Sequence, residues 1–112
     1  MRFEDLDVWK RSSRLCAEMY KHFRDVKDFG FRDQITRSAL SVPSNIAEGV
    51  ERNSQKDFAR FLQYSKGSCG ELRTQIYIGI EIGYISSEVG KVWVQETKEI
   101  SAMLVGLIKS LN

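Results

Sequence analysis

The chain has one histidine, one proline and two cysteines, and each scarcity closes off a class of protein. His22, with Glu18 four positions before it, cannot supply a ferritin-like di-iron bundle, which needs Glu-x-x-His on two helices. It also leaves every serine and cysteine without a histidine base of the triad kind, so nucleophilic catalysis lacks its proton acceptor. The expectation is a solvent-exposed His22, no metal, no cofactor and no enzymatic activity. Cys16 and Cys69 form no CxxC pair and have no Cys/His companion, which argues against a zinc site or a disulfide scaffold. Both fall on apolar stripes, so buried reduced thiols are expected. A single proline excludes collagen and proline-rich linkers, and 42% hydrophobic residues exclude disorder.

Long apolar runs are missing as well. The most hydrophobic tracts, Tyr77–Ile85 and Met103–Ile108, are far short of the ~20 residues that a membrane helix needs. The opening Met-Arg-Phe-Glu-Asp-Leu-Asp places acids where a signal peptide has bases and then an apolar run, so a cytoplasmic location is expected. Lys66-Gly67-Ser68 lacks the full G-x-x-x-x-G-K-[ST] order and the preceding strand of a phosphate loop. Net charge is only +2, but it is unevenly spread. Val8–Arg37 holds eight Lys or Arg against four acids, whereas Ile76–Asn112 holds three against four. Such a basic half is able to steer an anionic partner.

What the chain does have is helical periodicity. Its 112 residues suit one domain, given the usual ~100–150. Leu6, Trp9, Ser13, Cys16, Tyr20, Phe23 and Lys27 step by three and four across a first segment, about 6–27. Val8, Leu15, Met19 and Val26 add a second stripe beside it, more than one packed helix requires. Asp5 is placed to cap the start, and Asp28-Phe29-Gly30 offers a helix-ending glycine. A second segment, about 31–51, keeps its phase through Ile35, Ala39, Val42 and Ile46 across Pro43, predicting a continuous, kinked helix. The third, about 54–83, opens on a Ser54/Asp57 capping box and runs through Phe58, Leu62, Ser65, Cys69, Leu72 and Ile76. The fourth, about 87–111, is capped by Ser86 or Ser87 and carries Trp93, Thr97, Ile100, Leu104, Leu107 and Leu111, widened by Val92. Four amphipathic segments with short turns and no strand alternation predict an all-α, antiparallel up-down-up-down four-helix bundle.

Three features stand above that background. The tract Ser41–Gly49 surrounds Pro43, and its polar groups are expected to satisfy the carbonyl that proline leaves free. Gly67, Ser68, Gly70, Gly79 and Gly83 crowd the third helix, where each interior glycine costs about 1 kcal/mol, so close helix approach is expected there. Nearby Glu71 would need a partner if partly buried, and Arg37 is the candidate. Finally, two Trp, four Tyr and six Phe, with the doubled stripe on the first segment, imply an oligomer interface.

The residues Phe3-x-x-Leu6-x-Val8-Trp9, Gln34-Ile35-x-Arg37-Ser38-Ala39, Ser41-Val42-Pro43-Ser44-Asn45-Ile46-Ala47-Glu48-Gly49, Arg52, Phe58-x-x-Phe61-Leu62, Gly67-Ser68 and Glu71-Leu72 carry a resemblance. Together they resemble the bacterial four-helix bundle family also called 23S rRNA intervening-sequence proteins, related to the accessory variability proteins of diversity-generating retroelements. The likeness covers almost the whole chain. It departs from the usual pattern at Cys69-Gly70, where larger or plain apolar residues are common, and at Arg73, where an acid is more usual. The resemblance implies a bundle assembled as a ring-like homopentamer, with Arg37, Pro43, Asn45, Glu48, Gly49, Arg52, Gly67 and Glu71 as structural motif positions. It also implies a bacterial, non-enzymatic protein that binds RNA or DNA. From the residues themselves, the expected phosphate contacts are Lys10, Arg11, Arg14, Lys21 and Arg24, which lie mostly off the core stripe. The alternative is a protein-interaction scaffold, its basic residues merely solvating helices.

Overall fold

The computed structural model describes residues 1–112. After a short 3-10 turn at Phe3–Asp5 come four helices and no strand: α1 Asp7–His22, α2 Phe29–Glu51, α3 Gln55–Glu81 and α4 Ser87–Ser110. Each helix packs on its neighbour in the chain and α1 closes against α4, while the two diagonal pairs lie farther apart across the core. The pairings run antiparallel. Ser41 meets Ser68 between α2 and α3, and between α3 and α4 Gln55 reaches the Leu111 carbonyl while Cys69 meets Thr97. On the closing pair, Arg11 meets Glu96 and Glu18 meets Trp93. This is the expected up-down-up-down bundle, 42 × 21 × 20 Å, its long axis set by the 27 residues of α3 at ~1.5 Å each.

The caps are as expected for the last two helices: Ser54 Oγ accepts from the Asp57 N–H at 3.2 Å and Ser86 Oγ from Val89 at 3.1 Å. The first two helices differ. Asp5 lies in the 3-10 turn, and α1 starts after Leu6 with no side-chain cap. Helix α1 stops at His22, and Asp28 opens α2 by accepting from the Phe31 N–H at 3.2 Å. Asp28-Phe29-Gly30 therefore begins a helix rather than ending one. An aspartate that can satisfy a first-turn amide is a starting signal, and Gly30 does not take the left-handed conformation of a helix-ending glycine. That role belongs to Gly83, with φ +83, just past the end of α3.

Helix α2 runs unbroken through a buried Pro43. The polar groups around it act two and three residues beyond the expected place. Proline denies an N–H to the Ala39 carbonyl, yet Asn45 Nδ2 donates to the Ser41 carbonyl at 2.8 Å and Ser65 Oγ to the Val42 carbonyl at 2.8 Å. The Ser41–Ser68 hydroxyl pair, also 2.8 Å apart, completes a polar seam that fixes α2 on α3. The motif Ser41–Gly49 is thus a helix-pairing device.

The core is built from Val8, Leu15, Met19, Phe23, Ile35, Val42, Ile46, Leu62, Leu72, Ile76, Ile100 and Leu104, among others. A side chain as completely enclosed as Phe23 contributes about 1.5–3 kcal/mol over an exposed one. On α1 the buried set mixes the two expected stripes: Tyr20 is 46% exposed, while Val8, Leu15 and Met19 are inside. The helix faces α2 on one flank and α4 on the other, so both stripes are used within one bundle, and the doubled stripe no longer argues for an oligomer. Val92, expected to widen the core, is 65% exposed.

Close approach holds at only some of the glycines. A Cβ on Gly49 would come within 2.8 Å of Phe61 Cβ, and one on Gly79 within 2.6 Å of Ile85 Cδ1. At Gly67 and Gly70 it would meet nothing within 4 Å, so the expected crowding is absent there. Both positions point outward; the seam with α2 runs through Ser65 and Ser68, while Gly79 faces Ile85 from the turn after α3. The departures at Cys69 and Arg73 meet at one residue. Arg73 Nε donates to Thr97 Oγ1 at 2.9 Å, and both Arg73 Nη2 and Cys69 Sγ reach the Thr97 carbonyl at 3.2 Å. Both cysteines are free and buried, and burial pushes each thiol pKa up. No helix is long and apolar enough to cross a membrane.

Candidate nucleic-acid interface

The five expected phosphate contacts divide into three groups. Lys10, Arg14 and Lys21 are exposed, and at 3.6 residues per turn they fall within an arc of roughly 40° on α1, opposite Val8, Leu15 and Met19. They form the outward ridge of the helix. Arg24 is also exposed but lies beyond the end of α1, where the chain turns toward α2.

Arg11 is not part of that ridge. It points to α4, where Nη2 donates to Glu96 Oε1 at 2.6 Å and to Glu99 Oε1 at 2.7 Å, and Nε to Glu96 Oε2 at 3.0 Å. Its hydrogen bonds to Glu96 first and Glu99 second push its pKa still higher, and donation from Arg11 and Gln95 pulls Glu99 below the ordinary carboxylate range. With two carboxylates on one guanidinium, Arg11 serves as a clamp between α1 and α4. The sequence placed it among the phosphate contacts because the acids that take it lie more than eighty positions away.

The space between α1 and α2 brings in cations that the expected patch omitted. A groove of about 610 Å³ is lined by Tyr20, Phe23 and Arg24 from the first helix and its end, and by Arg32, Asp33, Thr36, Arg37 and Leu40 from the second. Arg32 sits 4.6 Å above the Phe29 ring and 3.5 Å from Asp33. Arg24 and Arg37 have no carboxylate within 4 Å. Beneath them Phe23 is enclosed, and the Thr36 hydroxyl turns inward to the Arg32 carbonyl at 2.7 Å. The signal for this groove was present: Arg32, Thr36 and Leu40 recur every four residues, a stripe facing α1.

The expected Arg37–Glu71 pair does not form. Arg37 belongs to the groove, and Glu71, exposed on α3, accepts from Ser38 Oγ at 3.1 Å. Being largely hydrated, Glu71 needs no cation. Of the other motif positions, Asn45 holds Ser41 within α2, Gly49 lets Phe58 and Phe61 of α3 approach, Arg52 stacks 4.9 Å from the Phe61 ring, and Glu48 is exposed. His22 is exposed as expected, but its ring is held: Nε2 lies 2.9 Å from the Tyr84 carbonyl and the ring packs edge-on to Trp93. No three His, Cys, Asp or Glu side chains converge in a way that would hold a metal ion.

Fold and surface together define a small helical bundle whose first helix and adjoining groove carry unbalanced positive charge. The chain belongs to the 23S rRNA-intervening sequence protein family, whose model matches residues 4–106. A solved structure from Bacteroides thetaiotaomicron, a protein of unknown function from the S23 ribosomal protein family, superposes with a TM-score of 0.84 at 26% identity. The match covers 91% of this chain and 98% of that one. No curated protein matches.

Proposed function

We propose that the protein is a non-enzymatic, homo-oligomeric bundle that binds RNA through phosphate contacts. The observation that carries this reading is a set of exposed cations with no carboxylate within 4 Å: Lys10, Arg14 and Lys21 on the α1 ridge, and Arg24 and Arg37 at the α1–α2 groove. Net charge is only +2 because much of the acid is spent elsewhere, on Arg11 and on the α3–α4 half of the molecule. Local charge, not net charge, sets the field that a polyanion meets. Membership of a family named for 23S rRNA intervening sequences supports RNA over other polyanions.

Self-association is supported by a different surface from the one the sequence implied. Tyr64 and Ile78, 50% and 46% exposed, lie on the same outward side of α3. Open Gly67 stands between them, with nothing to keep a second copy away. Several copies would repeat a modest basic patch, and avidity would raise its effective affinity.

The test is a titration of a labelled 23S rRNA fragment at several salt concentrations, with light scattering on the same sample. Binding should weaken with salt at a log–log slope of roughly 0.7–0.9 per phosphate contact, and Lys10→Ala, Arg14→Ala and Lys21→Ala should each reduce that slope. No binding at low salt by the assembled protein would leave the protein-interaction reading in its place. A monomer in scattering would remove the avidity argument.

A further inference from the structure

We infer that the α1–α2 groove takes an unpaired nucleotide, its base stacked on Tyr20 and its phosphates held by Arg24 and Arg37. The inference rests on the RNA-binding reading and specifies which form of the polymer the site accepts.

Three observations converge on it. The first is the exposed aromatic among the cations. Tyr20 is 46% exposed on a helix whose neighbouring positions Met19 and Phe23 are fully enclosed, and it opens into the groove with Arg24, Arg32 and Arg37. A ring left half in water beside free guanidinium groups offers a stacking face together with phosphate donors, the combination used to hold single strands. The planar guanidinium adds a second kind of surface that accepts a base face.

The second observation is shape. The groove is a recess of about 610 Å³ between two helices, within the ~300–1,000 Å³ range of pockets that enclose small ligands. A duplex presents its phosphates on a convex cylinder and keeps its base faces stacked inside. It would meet the Lys10–Lys21 ridge without reaching a ring set in a recess. A single strand can turn one base inward while its backbone follows the cations on the rim.

The third is the chemistry of the floor. Phe23 is enclosed, Leu40 is apolar, and the Thr36 hydroxyl is directed to the Arg32 carbonyl, so those three offer no donor aimed outward at a base edge. Asp33 is the one carboxylate in the lining, and Arg32 lies 3.5 Å from it. Stacking and charge are thus available where base-edge readout is sparse, so the site should tolerate any base with a π face.

The experiment compares one fluorescent oligoribonucleotide as a single strand and as its perfect duplex, at equal length and matched low salt, against wild-type protein, Tyr20→Ala and Tyr20→Phe. The expected result is tighter binding of the single strand by wild type. Tyr20→Ala should lose roughly 5- to 150-fold of that affinity, which is the ~1–3 kcal/mol stacking contribution per base at 1.4 kcal/mol per tenfold. Tyr20→Phe should retain it, and duplex binding should be the same for all three proteins. Equal affinity for strand and duplex, or a Tyr20→Ala protein that binds the strand like wild type, overturns the inference while the phosphate-binding reading stands. If neither form binds, both readings fall together. Circular dichroism of each variant checks the fold, which substitution of a half-exposed side chain should leave intact.

Discussion

Arg11 on α1 and Glu96 on α4 form a two-pronged ion pair, 2.6 and 3.0 Å between heavy atoms, with Glu99 taking a further bond from the same guanidinium at 2.7 Å. Helices α1 and α4 share the least extensive of the four helix–helix contacts, so this clamp ties down the weakest side of the bundle.

Arg11→Ala and Glu96→Ala should each lower stability, and the double mutant should lose less than the sum. The side chains are 30% and 28% exposed, so a coupling of about 1 kcal/mol is expected, the upper end for partly exposed pairs because the geometry is bidentate. Urea unfolding of the four-protein cycle measures it. Additive losses would mean that the pair contributes nothing. Arg11→Ala should also leave the RNA salt slope unchanged, unlike Lys21→Ala.

Acid should loosen the clamp. Glu99 titrates below its ordinary value of 4.5 in the fold because Arg11 and Gln95 donate to its carboxylate. A depressed folded pKa gives stability that is present above the unfolded value and lost as pH falls through the folded one. Thermal unfolding of wild type and Glu99→Gln should therefore differ at neutral pH and converge in strongly acidic buffer. A gap that widens on acidification would contradict this assignment.

The two kinds of glycine should respond oppositely to alanine. Gly49→Ala drives a methyl group toward Phe61 Cβ and the Phe58 ring, and overpacking of that kind costs about 1–3 kcal/mol. Gly67→Ala meets open space within a helix and should gain about 0.5–1 kcal/mol from helix propensity. Melting temperatures of the two variants decide the matter. A stabilised Gly49→Ala would show that α2 and α3 can part there at no cost.

Thr97→Val should destabilise by about 1–3 kcal/mol, since it removes the hydroxyl that takes Arg73 Nε at 2.9 Å inside the α3–α4 contact. Cys69 is buried and its Sγ reaches the backbone carbonyl of the same residue, which the substitution keeps, so native-state alkylation should be slow at this thiol. Both cysteines are buried with raised thiol pKa values, and full reaction of wild type is expected only in denaturant. Rapid labelling of folded wild type would contradict their burial.

Much of the bundle was legible because helical periodicity is a local property. Ile35, Ala39, Val42 and Ile46 kept their phase across Pro43, and the helix does run through it. Ser54 and Ser86 were readable as caps because the amides they satisfy lie three residues away. Asp28 was misread on equally local grounds: a cap and a stop signal overlap at Asp28-Phe29-Gly30, and only the position of α1 against the core chooses between them. The candidate interface was half legible. Exposure of Lys10, Arg14, Lys21 and Arg24 followed from their distance from the apolar stripe, but nothing near Arg11 announced Glu96.

By itself, then, the sequence determined four amphipathic helices, their order, their antiparallel pairing and the family, since each depends on residues a few positions apart or on short turns. Tertiary structure alone decided which cations remain free. Arg11 is neutralised by α4, Arg37 lines the groove while exposed Glu71 takes a serine hydroxyl, and Tyr20 stands in the recess rather than in the core. Electrostatic pairing is set by distance in space, and in this bundle the first helix meets its carboxylates only after the fourth has returned beside it.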